Sequence, residues 1–256
     1  MLISGDLGGR SDMTTRKFVQ SLIVTVALCL SATAGRAQDN RFFVMAGGSS
    51  MRDNRSFDEP IPGTVPYRST YATGGKVIVG IETPLKKSKI FGFEGSYGFG
   101  DNNLKLINAS YSYLPFIGYD MRNNRVSGDI VARAPIVYHG GRPYAVFGVE
   151  FDRFSPLSSA CCSDSSVAAR EGFAFEPVAT TMKGQNLGGV NVGGGIDWKL
   201  TSNVGLRMDV RDHITSSPTL GLPTTEPATA GLPWFPATGI AHAIEYSIGI
   251  VYKFGK

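Results

Sequence analysis

Histidine and cysteine are scarce in this chain, with three of each in 256 residues. His139 and His242 show no metal-ligand spacing, and no histidine lies near Cys161 and Cys162, so no metal centre and no cofactor is expected. Charge of one sign is lacking as well: 25 basic side chains face 21 acidic ones, a formal +4. Residues 1–37 hold four of the basic groups (Arg10, Arg16, Lys17, Arg36) and two of the acidic ones (Asp6, Asp12), so the remainder carries only +2. That excludes the basic footprint of a nucleic-acid-binding protein. Long hydrophobic runs are missing with one exception, 18–30, and no long helical period follows it. The mean hydropathy of −0.02 does not exclude a membrane protein, because strands with opposed apolar and polar faces average to such a value.

The one apolar run reads as an export signal. Arg16 and Lys17 precede it, and the small residues Ser31, Ala32, Thr33, Ala34 and Gly35 follow. It is too short for a spanning helix and has signal-peptide flanks. Gly35-Arg36-Ala37 fits a small-x-small cleavage site that leaves Gln38 first, with Ala32-Thr33-Ala34 as the competing site; a buried helix or an uncleaved anchor is the other reading. Residues 1–12 resemble neither a signal nor a fold, which points to Met13 as the start. Residues 1–37 are thus read as signal, and 38–256 as one β-barrel domain without linkers.

What the chain does have is 32 glycines, 11% aromatics and a period of two. In the last segment Ile244, Tyr246, Ile248, Ile250, Tyr252 and Phe254 share one parity, and Ala243, Glu245, Ser247, Gly249 and Lys253 the other. That alternation marks a β-strand with one apolar face, long enough to cross a bilayer when tilted. Similar segments run over 41–50, 71–83, 90–100, 125–138, 143–153, 185–200 and 204–214, about eight strands in all. Residues 101–124 read as an extension of the third strand into Leu104–Ile107 followed by an aromatic loop with Tyr111, Tyr113, Phe116 and Tyr119. Short turns follow the second, fourth and sixth strands, and long loops the first, third, fifth and seventh. This asymmetry predicts an all-β, antiparallel up-and-down transmembrane barrel with short periplasmic turns and longer outer loops.

The polar parity is rich in Gly, Ser and Asn, which suits the narrow interior of an eight-stranded barrel. It also collects Glu82, Glu94, Asp129, Arg133, Glu150, Asp152, Asp197, Arg207, Asp209, Arg211 and Glu245. Charges in such an interior must pair, so these form either a structural plug or a gate that rearranges to pass ions or small solutes. Arg207, Arg211 and Glu245 are expected to share one network. Aromatics gather near the strand ends: Phe91, Tyr138, Trp198, Tyr252 and Phe254 by the turns, Tyr71, Phe99 and Phe151 by the loops. Phe91, Tyr138, Trp198 and Phe151 are the candidate interface girdle.

Outside the strands, Cys161 and Cys162 are adjacent; they can form a strained ring disulfide, bind a soft metal, pair between chains, or have no role. Leu232-Pro233-Trp234-Phe235-Pro236 and the run from Tyr111 to Phe116 are apolar clusters in loops, suited to a partner or to packing as a lid. A lipid-modifying serine–histidine site would fall near His213-Ile214-Thr215-Ser216, but the spacing is wrong. His213 is therefore read as a capping or interface residue.

The run from Gly193 to Asp212 resembles the penultimate hairpin of small OmpA-like outer-membrane barrel domains. Ser247-x-Gly249-x-x-Tyr252-x-Phe254 resembles the C-terminal signal read by the barrel assembly machinery, though Gly255 and Lys256 follow the aromatic where such proteins usually stop. No peptidoglycan-binding domain follows, so a wall-anchoring role is not implied. The resemblance implies a non-enzymatic, monomeric barrel in the outer membrane of a Gram-negative-type bacterium, exported by its signal. Its partners would be membrane lipid, the assembly machinery and an extracellular partner at the loops. A structural or surface-interaction role leads, a narrow porin-like channel comes second and a lipid-modifying enzyme third.

Overall fold

The computed structural model describes residues 40–53, 65–71, 73–85, 88, 90–108, 117–157, 161–162, 183–221, 224, 233–234 and 239–254. The export signal, its cleavage sites, Met13 and the run from Tyr111 to Phe116 lie outside the described residues. For the cysteine pair and the Trp234 cluster, only the backbone of Cys161–Cys162 and Pro233–Trp234 is described.

Eleven strands follow in chain order: β1 (Asn40–Asp53), β2 (Val65–Tyr71), β3 (Gly74–Pro84), β4 (Phe91–Asn108), β5 (Ile117–Arg133), β6 (Gly141–Pro156), β7 (Cys161–Cys162), β8 (Gln185–Lys199), β9 (Val204–Ser216), β10 (Pro233–Trp234) and β11 (Ile240–Phe254). Eight positions around the ring close on themselves through antiparallel ladders, in the order β1, β3, β4, β5, β6, β8, β9, β11 and back to β1. No helix occurs among the described residues. β2 continues the line of β3 along β4, pairing Tyr67–Tyr71 with Asn108–Leu104. β7 and β10 are two-residue additions on the loop side, against β5 and β2.

The three short turns fall where the alternation stops, at residues 85–90, 134–140 and 200–203. The middle one is the tightest. Tyr138 and Gly141 exchange both backbone hydrogen bonds (2.7 and 2.8 Å), around His139 at φ 47° and Gly140 at φ 77°. Two central residues with positive φ make the hairpin turn whose twist matches its strands.

Two segments depart from the reading of the sequence. Residues 117–124, taken as aromatic loop, form the first half of β5 and pair with the extension of β4 and the end of β6. Residues 65–69, taken as loop, belong to β2, and Tyr71, taken as the start of the second strand, ends β2 rather than opening β3. Conversely, Ile136, Val137 and Tyr138, taken as the end of a strand, sit exposed in a turn.

Alternation decides the two faces. Outward run Phe42 and Val44 on β1, Phe91, Phe93 and Phe99 on β4, Phe147, Val149 and Phe151 on β6, and Ile244, Tyr246, Ile248, Ile250 and Tyr252 on β11, all exposed. Glu82, Glu94, Ser127, Asp129, Glu150, Arg207, Asp209, Arg211 and Glu245 are buried inside. The arrangement is the inverse of a water-soluble barrel, whose apolar face points inward. From Phe91 to Phe99 the outward band spans nine residues, about 30 Å along the strand and roughly 23 Å high at a tilt near 40°. That matches the apolar thickness of an outer membrane.

Candidate functional site: the charged lumen

All eleven charged residues singled out in the sequence face the interior. They do not form one group. The larger cluster lies toward the turn side and centres on Arg207 of β9. Its guanidinium donates to Asp197 (2.8 and 3.2 Å), Glu82 (2.8 Å) and Glu94 (2.8 Å). Arg133 pairs with Glu82 and, at 3.1 Å, with Asp197; Arg41 reaches Asp197 at 3.1 Å. Glu94 links this group to Arg211, which donates to Glu94 (2.6 Å), Asp129 (2.8 Å) and Asp209 (3.0 and 2.8 Å). Asn191, Ser127 and Tyr144 complete it, donating to Asp129 (2.8 and 3.0 Å) and Asp209 (2.7 Å).

Arg207 is wholly buried, at 0% exposure, between two aromatic rings. Its guanidinium carbon is 4.8 Å from the ring centroids of both Phe43 and Tyr144. Those rings lie along the wall because glycines stand beneath them. A Cβ at Gly80 would fall 2.2 Å from the Phe43 ring, and one at Gly195 would fall 2.6 Å from the Tyr144 hydroxyl. The charge is thus held by carboxylates at its edge and by π-faces above and below, both favourable to a guanidinium.

The second cluster sits nearer the loops. Lys76 and Arg125 converge on Glu245 at 2.5 and 3.0 Å. Arg125 also donates to Asp152 at 2.9 Å and lies 3.7 Å from Glu150. His213 bonds Glu150 through Nδ1 at 2.5 Å, with Nε2 at 3.6 Å from Glu245. Glu245 stands opposite Arg211 in register, yet its contacts go to Lys76, Arg125 and His213. The expected sharing of one network by Arg207, Arg211 and Glu245 is therefore corrected to a division between two. The reason is reach: the Arg211 guanidinium extends toward β4 and β5, and the shorter Glu245 meets the cations beside it.

The reading of His213 as a capping or interface residue is also corrected: it is a buried lumen residue. The other charged lumen residues absent from the sequence selection are Lys76, Arg125 and Arg41. Their signal was available. The selected set holds eight carboxylates against three arginines, and such an excess demands further cations of the same parity. Lys76 shares parity with Glu82, Arg125 with Asp129, and His213 with Arg211.

Elsewhere, Phe91 opens β4 on the outward face, Tyr138 lies in a turn and Trp198 near the end of β8, all on the turn side. Phe151 faces outward on β6, five residues short of the loop-side end. Ser247 and Gly249 face inward on β11, with Tyr252 outward and Phe254 closing the strand. On the outer rim, His242 Nδ1 pairs with Asp212 at 2.8 Å; no described serine bonds to this histidine. No group of three or more His, Cys, Asp or Glu suited to a metal ion occurs among the described residues.

No protein-family model matches the chain, and no curated protein matches it. Solved structures with a similar course of strands include Neisserial surface protein A (NspA), with a TM-score of 0.49, 12% identity, and 86% of this chain and 99% of that one covered. The outer membrane protein OprG from Pseudomonas aeruginosa gives 0.49, 13%, 86% and 98%. Ail, the attachment invasion locus protein of Yersinia pestis, in complex with the heparin analogue sucrose octasulfate, gives 0.40, 9%, 85% and 100%.

Proposed function

We propose that this chain is a monomeric, non-enzymatic outer-membrane barrel whose interior is a fixed ionic plug, and that it acts through its loop-side surface rather than by conduction. The membrane assignment rests on the outward apolar band and the closed ring, which leaves no unpaired barrel edge in lipid. The plug reading is carried by one observation: Arg207 has no exposed surface and contacts three carboxylates and two rings. Clearing a path past it means separating buried charges, each costing several kcal/mol to leave unpaired. The resemblance of 193–212 and 247–254 to OmpA-like barrels fits this role, since the first run is the β8–β9 hairpin.

The test is single-channel recording of refolded protein in a planar bilayer, with the gel shift between unboiled and boiled samples as folding control. The expected result is a heat-shifted protein with no openings. Discrete, reproducible openings would replace the plug with a channel.

A channel has one observation in its favour. Buried polar atoms without a hydrogen-bond partner among the described residues occur in both clusters: Glu150 Oε1, Asp152 Oδ2 and His213 Nε2 on the loop side, and Arg41 Nε, Glu82 Oε1, Arg133 Nε and Asn191 Oδ1 on the turn side. The loop-side cluster lacks the ring-stacked Arg207, so a rearrangement would begin there. Arg125→Ala, which frees Asp152 and weakens the hold on Glu245, would then raise conductance before any turn-side substitution did.

A further inference from the structure

We infer that residues 217–221, which leave β9, are a strap that closes the loop-side mouth of the lumen by seating Leu220 in it, and that Gln185 is the catch that holds the strap shut. This closure is distinct from the ionic plug and lies nearer the outside. The interior changes character there. Above the ionic clusters Ser49 and Asn102 are buried and bonded to each other at 3.4 Å. Higher still, the buried inward side chains include Met51 of β1, Met121 of β5, Phe154 of β6, Leu187 of β8 and Ala241 of β11, with Thr215 among them. A largely apolar rim around a water-facing mouth is unfavourable unless something apolar fills it. Leu220 is that filling, at 0% exposure.

The strap brings Leu220 there against a backbone cost. Leu220 has φ 53°, in the left-handed region where a bulky non-glycine residue is strained. Such a conformation persists only where its surroundings hold it. The hold is specific. Gln185 opens β8 with the inward parity of Leu187. Its side-chain Oε1 accepts from the Thr219 N–H (2.8 Å), the Leu220 N–H (2.9 Å) and the Thr219 hydroxyl (3.3 Å). The Lys183 N–H donates to the Leu220 carbonyl at 2.9 Å, and the Ser217 N–H to that of Gly239 at 3.1 Å. One carboxamide oxygen therefore satisfies both N–H groups at the crest of the strap.

Two opposed terms meet in this strap. Burial of Leu220 and the bonds to Gln185 hold it in, and the strained backbone favours its release. Residues 217–221 belong to no strand, so the strap opens without breaking a barrel ladder, as a local unit of lower stability than the ring. Opening lets water and small solutes reach Ser49 and Asn102.

The experiment uses the full chain with its three cysteines replaced by serine and Ser49→Cys as the probe, refolded in detergent micelles, with the heat-shifted gel band as folding control. Ser49 lies two residues below Met51 on the same face of β1, so its thiol reports water that has passed the mouth. Labelling by a charged maleimide is timed in this background and with Gln185→Leu, Leu220→Gly or Asn186→Ala added. Asn186 is exposed on the outward face beside Gln185 and serves as control. Slow labelling is expected in the background and in Asn186→Ala. Gln185→Leu and Leu220→Gly are expected to label at least about tenfold faster, because reactivity tracks the open population and a buried N–H left unpaired, or an apolar seat left empty, shifts it by that much. Leu220→Gly relieves the backbone while it removes the stopper, so it carries the test alone if Gln185→Leu loses the heat shift. Fast labelling in the background would show an open mouth and overturn the strap. Labelling of heat-shifted Leu220→Gly at the background rate would do the same. No acceleration by heat-shifted Gln185→Leu, or equal acceleration by Asn186→Ala, would overturn Gln185 as the catch.

Discussion

Replacing Arg207 by methionine keeps most of the side-chain length and removes the charge. Glu82, Glu94 and Asp197 then face one another with only Arg41, Arg133 and Arg211 to hold them. Breaking a buried pair from one side costs about 3–5 kcal/mol, so Arg207→Met is expected to lose that much in urea unfolding from lipid vesicles. A change below about 1 kcal/mol would mean the cluster is more solvated than its burial implies. Gly195→Ala probes the support beneath. The new methyl would lie 2.1 Å from the Met208 carbonyl oxygen and 2.6 Å from the Tyr144 hydroxyl. Tyr144 must move off Arg207 or the strand must shift, and a loss of about 2 kcal/mol or more is expected in the same assay. Single residues were readable in sequence where parity was unbroken, as at Glu94 or Asp209. Arg125 escaped because it opens a strand beside a loop as the sequence was divided; Lys76 lies inside the 71–83 strand on the parity of Glu82 and could have been selected with it.

At the level of strands, the outward face of β6 makes the membrane reading testable by substitution. Phe147 is 58% exposed with Val149 beside it at 63%, near the middle of the apolar band. Phe147→Arg is expected to destabilise the folded barrel by about 2–4 kcal/mol in vesicles, while Arg153→Phe at the border changes it by less than about 1 kcal/mol. Equal effects at the two positions would argue against a lipid-facing band. The same band explains what could be read from the sequence. Inside it, one face meets lipid and the other the polar lumen, so period two is strong in β6, β9 and β11. Above it the pattern is reversed: in the first half of β5 the apolar Ile117, Tyr119 and Met121 take the parity that carries Arg125 and Asp129 lower down, Met121 is buried inside, and Asp120 and Arg122 take the parity of the lipid face. That is why residues 117–124 passed for loop. The turn at 134–140 misled in the opposite sense, because Ile136, Val137 and Tyr138 are apolar without being paired. The division of the lumen into two clusters was not readable, since it depends on how far each side chain reaches across the ring.

For the whole molecule, the ladder between β1 and β11 joins residues about two hundred positions apart, from Asn40 with Phe254 to Asp53 with Ala241. Fourteen pairs make this seam, and it is the last to become available as the chain is made. Until β11 docks, β1 and β9 are open edges with apolar outer faces, the state most exposed to misassociation. A chain lacking residues 240–254 is therefore expected to give no smaller barrel: it should show no heat-shifted band and should pellet when refolding is attempted in vesicles. The strand whose ending resembles an assembly signal is also the strand that shuts the ring. A machine that grips that strand holds the one piece without which the other seven positions have no inside, and so controls when the buried charges first leave water.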